Sequence, residues 1–266
     1  MVQINMAARE ITAKLVYYGP ALSGKTTNLQ QLHALLDPGA RGKMVTLDTA
    51  DDRTLYFDFL PIQFGTDGGF AIKLKLFTVP GQVMHKSTRK VVLAGADAVA
   101  FIADSQRSSA SANAYSWRDM EANLRSNGID FEKIPKVVQF NKRDLPDVKP
   151  LDEIRAAWKD VPTYPAVAIR GEGVIETFRE LLRRLHRHLD EKHGFAENFG
   201  VSEEEFLGAV LSPLRARGHR SQRRYPSTGF PHPRAGPRPP DVRRNRALAA
   251  GRGAFGPYGE GLRESM

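Results

Sequence analysis

Apolar positions along the chain alternate between short strand-like runs and stretches of helical spacing. Residues 11–18 (ITAKLVYY) are rich in β-branched and aromatic side chains and predict a buried strand. Leu29, Leu32, Leu35 and Leu36 then recur at helical spacing until Asp37-Pro38-Gly39 stops them. Residues 40–54 are polar and read as irregular. Residues 55–64 and 70–79 alternate and predict a hairpin turning at Asp67-Gly68-Gly69. Further buried strands are expected over 97–103, 136–140 and 164–169. Helices are expected over 108–127, 151–158 and 173–190, the last with Ile175, Phe178, Leu182, Leu185 and Leu189 on one stripe. Strands alternating with helices predict an α/β fold: a mostly parallel sheet covered on both faces, with one antiparallel hairpin.

The pattern fails near residue 196, so the domain is expected to span 1–195. Residues 196–266 read as a Pro/Gly/Arg-rich basic tail, largely disordered for want of apolar surface. One short helix, from Ser202 to Leu211 and capped by Ser202 and Glu205, is the exception. On this reading a cut after Gly194 spares the fold. The net charge of +9 is split unevenly, because the tail holds twelve arginines, no lysine and seven acidic residues. That composition suits weak polyanion binding, to nucleic acid or an anionic membrane. It is also what an out-of-frame reading of a GC-rich gene yields. The chain has no cysteine, which excludes disulfides, thiolate metal sites and prenyl or palmitoyl anchors. No lipid anchor and a cytoplasmic location are expected.

Gly19-Pro-Ala-Leu-Ser-Gly-Lys-Thr26 matches GxxxxGK[ST] in full, between a predicted strand and a predicted helix. Backbone N–H groups of such a loop wrap phosphates at a helix N-terminus. Gly19, Ser23, Gly24, Lys25, Thr26 and Thr27 are the expected phosphate-binding positions. Lys25 reaches the β and γ oxygens, and the Thr26 hydroxyl ligates Mg²⁺. Asn141-Lys142-Arg143-Asp144 follows a buried strand directly, the context in which NKxD selects guanine. The Asp144 carboxylate can accept from N1–H and the exocyclic amine, which adenine cannot offer. A backbone N–H in Val167-Ala168-Ile169, that of Ala168, is a candidate donor to the base carbonyl; an ordinary strand end is the equal alternative.

The phosphate loop, Thr78-Val-Pro-Gly-Gln82 and NKRD, in this order, resemble the Ras-like small GTPases. GPALSGKTTNL, DDRTLYFDFLP and TVPGQ are together similar to the bacterial MglA family over roughly residues 8–193. The resemblance implies a three-layer P-loop GTPase fold and a GTP/GDP switch that hydrolyses GTP slowly without help. It also implies a roadblock-domain activating partner of the MglB type, motility and polarity effectors, and placement at a cell pole when GTP is bound. Residue by residue, it makes Thr54 a second magnesium ligand, Gln82 the residue that orients water and Arg53 an arginine finger supplied in cis. Thr78 and Gly81 become γ-phosphate contacts. The alternative for Arg53 is a solvated loop arginine beside Asp51 and Asp52.

One departure from Ras-like chemistry stands out. Thr78 occupies the place of the usual magnesium-associated aspartate. Asp58, on the paired strand, is a candidate substitute, and an outward-facing strand carboxylate is the alternative. If nothing replaces the aspartate, a GTP-dependent scaffold with negligible hydrolysis results. His85, Lys86, Arg89 and Lys90 read as an exposed face, suited to a partner.

Overall fold

The computed structural model describes residues 2–47, 57–81 and 86–215. Eight strands form one sheet: β1 (Gln3–Asn5), β2 (Glu10–Tyr18), β3 (Val45–Leu47), β4 (Phe57–Gly65), β5 (Ala71–Thr78), β6 (Ala98–Asp104), β7 (Lys136–Asn141) and β8 (Thr163–Pro165). Their spatial order is β3-β4-β5-β2-β6-β7-β8, with β1 antiparallel to the start of β2. Pairing from β5 through β2, β6 and β7 to β8 is parallel, while β3, β4 and β5 pair antiparallel. The helices are α1 (Lys25–Leu35), α2 (Lys86–Leu93), α3 (Ala110–Ser126), α4 (Leu151–Ala157), α5 (Val174–His193), α6 (Phe195–Phe199) and α7 (Glu203–Arg215). The expected α/β architecture is therefore present.

Side chains alternate across each central strand, because successive Cβ atoms point to opposite faces. Ala13, Leu15 and Tyr17 of β2 join the core under α1 and α5. Val16 and Tyr18 join the opposite core, with Met120 and Leu124 of α3. Two buried layers thus sandwich the sheet, and the parallel strands deliver their C-terminal ends to one edge. In open parallel sheets that edge is where ligands bind.

Besides β1 and α2, which the sequence reading did not include, the structure departs from it at four places. The region read as irregular contains β3, an edge strand too short for its period to show. The final strand stops at Pro165, and Ala168–Arg170 form a 3₁₀ turn in place of its expected end. Helix α2 buries Arg89, which was expected to be exposed, whereas Lys90 does face solvent. His85 lies outside the described residues. The fourth departure is the largest. The boundary placed at 195 falls inside the packed structure, because Phe195, Phe199, Val201, Phe206, Val210 and Leu211 all join the core beneath α5.

Helices α6 and α7 are fixed by more than apolar contact. His186 of α5 shares a hydrogen bond with the Val201 carbonyl at 2.7 Å, and its ring lies between Phe195 and Phe206. Arg183 and Arg187 each take one oxygen of Glu203, at 3.1 and 2.9 Å. These bonds hold the Glu203 carboxyl below its usual range. Glu205 accepts from the Asp67 amide at the β4–β5 turn, at 2.5 Å. Of the cap expected from Ser202 and Glu205, the serine half forms, its hydroxyl accepting from the Glu205 amide, while the Glu205 carboxylate serves the Asp67 amide. The expectations for residues beyond 215 lie outside the described residues.

A candidate nucleotide site at the strand ends

The loop joining β2 to α1 holds its shape because two positions accept only glycine. A Cβ on Gly19 (φ 143°) would lie 2.2 Å from the Ile102 carbonyl oxygen, and one on Gly24 (φ 100°) 2.2 Å from Asn141 Nδ2. The loop borders a cleft of about 890 Å³ lined by Lys25, Thr26, Thr27, Thr46, Asp58, Thr78 and Gly81, among others. Gly81 approaches the loop closely, and a Cβ there would sit 2.4 Å from the Ala21 amide nitrogen. Leu22 takes the left-handed region at φ 60° and is 87% exposed, the backbone strain found at functional loops.

Lys25 is buried at the floor of this cleft and donates to the carbonyls of Gly19 and Pro20, at 3.0 and 2.6 Å. Burial pushes its pKa down to about 7, partly opposed by Asp58. An ammonium held this way gains most from an anion that replaces its lost hydration. In the folded chain the lysine titrates near 7, but near 10.5 when unfolded. The unfolded chain therefore holds the extra proton between those values, and stability without ligand rises with pH across that window. A bound phosphate restores the charged form, so binding takes up a proton there. GDP affinity is expected to fall as pH climbs from about 7 towards 10. Calorimetry in buffers of different ionisation enthalpy measures that uptake, and a flat affinity would contradict it.

Asp58 bears on the question posed by Thr78. Its side chain is buried and turned into the cleft, so the outward-facing alternative fails. Oδ2 accepts from the hydroxyls of Thr26 at 2.5 Å and Thr78 at 2.9 Å, and Oδ1 accepts from Thr46 at 2.9 Å. The Asp58 amide in turn donates to Thr78 Oγ1 at 2.8 Å. A carboxylate thus stands beside the phosphate-loop threonine, supplied by β4 and not by β5. Thr46, in the strand that the sequence reading missed, completes the set. Arg53, Thr54 and Gln82 lie outside the described residues.

At the end of β7, Asn141 ties two segments together. Its Nδ2 donates to the Ser23 carbonyl and its Oδ1 accepts from the Ala168 amide, each at 2.8 Å. The N–H of Ala168, expected to meet a base carbonyl, is thus given to Asn141 here. Lys142 (φ 65°) pairs with Asp104 at 2.7 Å, and Asp144 is exposed.

A phosphate loop, a strand-end NKRD loop and a threonine–carboxylate cluster on a mostly parallel sheet define a P-loop GTPase. The chain is 46% identical over 182 residues to the mutual gliding-motility protein MglA of Myxococcus xanthus (strain DK1622), a match covering 68% of this chain and 93% of that protein. It belongs to the MglA family of Ras-like GTPases and binds guanine nucleotides. No family model matches the chain. Among the described residues, no helix is long and apolar enough to cross a membrane.

Proposed function

We propose that the chain is a GTP-driven switch of the gliding-motility and polarity type, in which Asp58 takes the role that Thr78 cannot fill. The observation carrying this reading is the Asp58 carboxylate bonded to both Thr26 and Thr78. A hydroxyl and a carboxylate are the hard oxygen donors that suit magnesium, which binds through few protein groups and keeps waters and phosphate oxygens for the rest. Thr26 and Asp58 are the residues that would hold it, Asp58 directly or through water, with Thr54 as a further ligand. When bound, the ion would supply charge neutralisation at the phosphate oxygens.

The chain's own groups supply the rest. Gly19, Ser23, Gly24 and Thr27 hold phosphates by loop and first-turn amides, and Lys25 adds its charge. Thr78 aligns Asp58, and Gly81 lets the following segment approach the phosphate end. Gln82 orients the attacking water, and Arg53 stabilises charge on the transferring group. Asn141, Lys142 and Asp144 seat the guanine, with Ala168 holding Asn141 in place. A roadblock-domain partner of the MglB type accelerates turnover, and the switch works in the cytoplasm and at a cell pole. No observation favours a scaffold without hydrolysis, or polyanion binding as the main function.

Single-turnover GTP hydrolysis with and without such a partner tests the reading. Stimulation should be lost in Arg53→Ala and Gln82→Leu while nucleotide affinity holds, because both act on the transition state. An unstimulated wild-type chain would sink it. Asp58→Ala is expected to slow hydrolysis by about 10²-fold, the scale of one lost electrostatic contact at a reacting phosphoryl group. It should also flatten the dependence of GTP affinity on magnesium concentration. Unchanged magnesium dependence would assign the metal elsewhere.

A further inference from the structure

Strand β7 is buried throughout, yet its fourth residue is a glutamine. Gln139 has no solvent exposure, and neither do the two polar side chains it meets, Asn28 of α1 and Thr177 of α5. Gln139 and Asn28 exchange two amide bonds: Asn28 Nδ2 donates to Gln139 Oε1 at 2.8 Å, and Gln139 Nε2 donates to Asn28 Oδ1 at 3.0 Å. The second donor of Asn28 goes to the Gly24 carbonyl at 2.9 Å. The second donor of Gln139 goes to Thr177 Oγ1 at 2.9 Å, and that hydroxyl donates to the Gly173 carbonyl at 2.7 Å. Each donor of this buried chain is used.

Filling the space alone would not call for amides. Leucine or methionine would occupy it without the desolvation that buried amides incur. What a reciprocal amide pair adds is direction, because it fixes separation and rotation together. The three segments it joins are the end of the phosphate loop at Gly24, the strand that delivers NKRD, and the turn at Gly173 that follows Ala168. Asn141 joins the same three segments through Ser23 and Ala168. Residues 139 and 141 lie two apart on one strand and so share a face. The connection is made twice, once from residue 139 and once from residue 141.

We propose that Gln139 is a positioning residue. It sets the distance from phosphate loop to guanine loop, so that a nucleotide is held at both ends at once and Asp144 meets the base only when the phosphates are seated. This inference rests on Asp144 as the guanine reader.

The experiment uses the full chain and three ligands with magnesium present: pyrophosphate, which needs only the phosphate loop; GDP; and IDP, which lacks the exocyclic amine offered to Asp144. The variants are Gln139→Leu and the double variant Asn28→Leu with Gln139→Met. The double variant guards against misfolding, since replacing both partners by apolar groups of similar shape is close to neutral for stability. In the double variant, pyrophosphate affinity should stay within about threefold of the unmodified chain. GDP affinity should fall about tenfold or more, and preference for GDP over IDP should shrink with it, since a displaced Asp144 no longer pairs both base donors. Equal weakening of pyrophosphate and GDP would overturn the proposal, because the network would then only hold the phosphate loop together. Full retention of the GDP-over-IDP preference would overturn it too. An unmodified chain that binds GDP and IDP alike would refute the Asp144 reading itself, and this inference with it.

Discussion

A chain cut after Gly194 is expected to be far less stable than one ending at Arg215, and close to unfolded at physiological temperature. The cut removes Phe195, Phe199, Val201, Phe206, Val210 and Leu211, all buried in one core cluster. The cut also exposes the surface they cover: Phe64 and Phe70, which meet Phe206 and Phe199 edge to face, and the His186 ring. Uncovering that much apolar surface weighs heavily against the roughly 5–15 kcal/mol by which a domain is stable. Thermal unfolding of both chains, with dye binding to exposed apolar surface, reports the difference. Matching midpoints would mean that α6 and α7 rest on the domain without supporting it.

The second large effect is expected at Asp119. Its Oδ2 accepts from Arg89 Nε at 2.7 Å, from Asn123 at 3.1 Å and from the Tyr18 hydroxyl. Arg89 and Asp119 side chains are 3% and 7% exposed, so the pair is dry. Asp119→Ala deprives a buried guanidinium of this carboxylate, a change that costs about 3–5 kcal/mol. For a domain of this size the midpoint should drop by about 10 °C. Replacing both partners, Arg89→Met with Asp119→Leu, should recover most of the loss, since neither charge then remains to be solvated. If the single variant melts with the unmodified chain, water reaches Arg89 and the pair is not a tether. Because Arg89 lies on α2, Asn123 on α3 and Tyr18 on β2, the pair anchors the helix that follows Gly81 to the body of the domain.

The parts of the site that are contiguous in sequence were legible there. The phosphate loop and NKRD are local devices, and each is announced by the strand that precedes it. Asp58 was harder, because its meaning depends on partners 32 and 20 residues away, Thr26 and Thr78. Both phases of that strand carry apolar residues, with Phe57 and Phe59 on one side and Leu60, Ile62 and Phe64 on the other. Asp58 shares the phase of the latter set, whose members are buried, and that was the signal available. Thr46 was hidden by the shortness of its strand. Arg89 misled because a charged residue reads as solvated until its buried partner is known. The helices after Gly194 carried a usable stripe in Phe195 and Phe199, then Phe206 and Val210, each pair four apart. The proline- and arginine-rich composition further on obscured it.

The bond from the Asp58 amide to the Thr78 hydroxyl has a practical consequence. At this position the Asp58 amide of β4 donates to a side chain; the last paired residues of β4 and β5 are Phe59 and Phe77, and the Thr78 hydroxyl accepts at the next rung. The protection of that one amide against solvent deuterium therefore depends on the rotamer of Thr78, which the Asp58 carboxylate itself holds. Anything that draws the carboxylate away releases the hydroxyl and, with it, the amide. Deuterium uptake at Asp58, measured against its neighbour Phe59, becomes a label-free gauge of events at the phosphate end of the cleft.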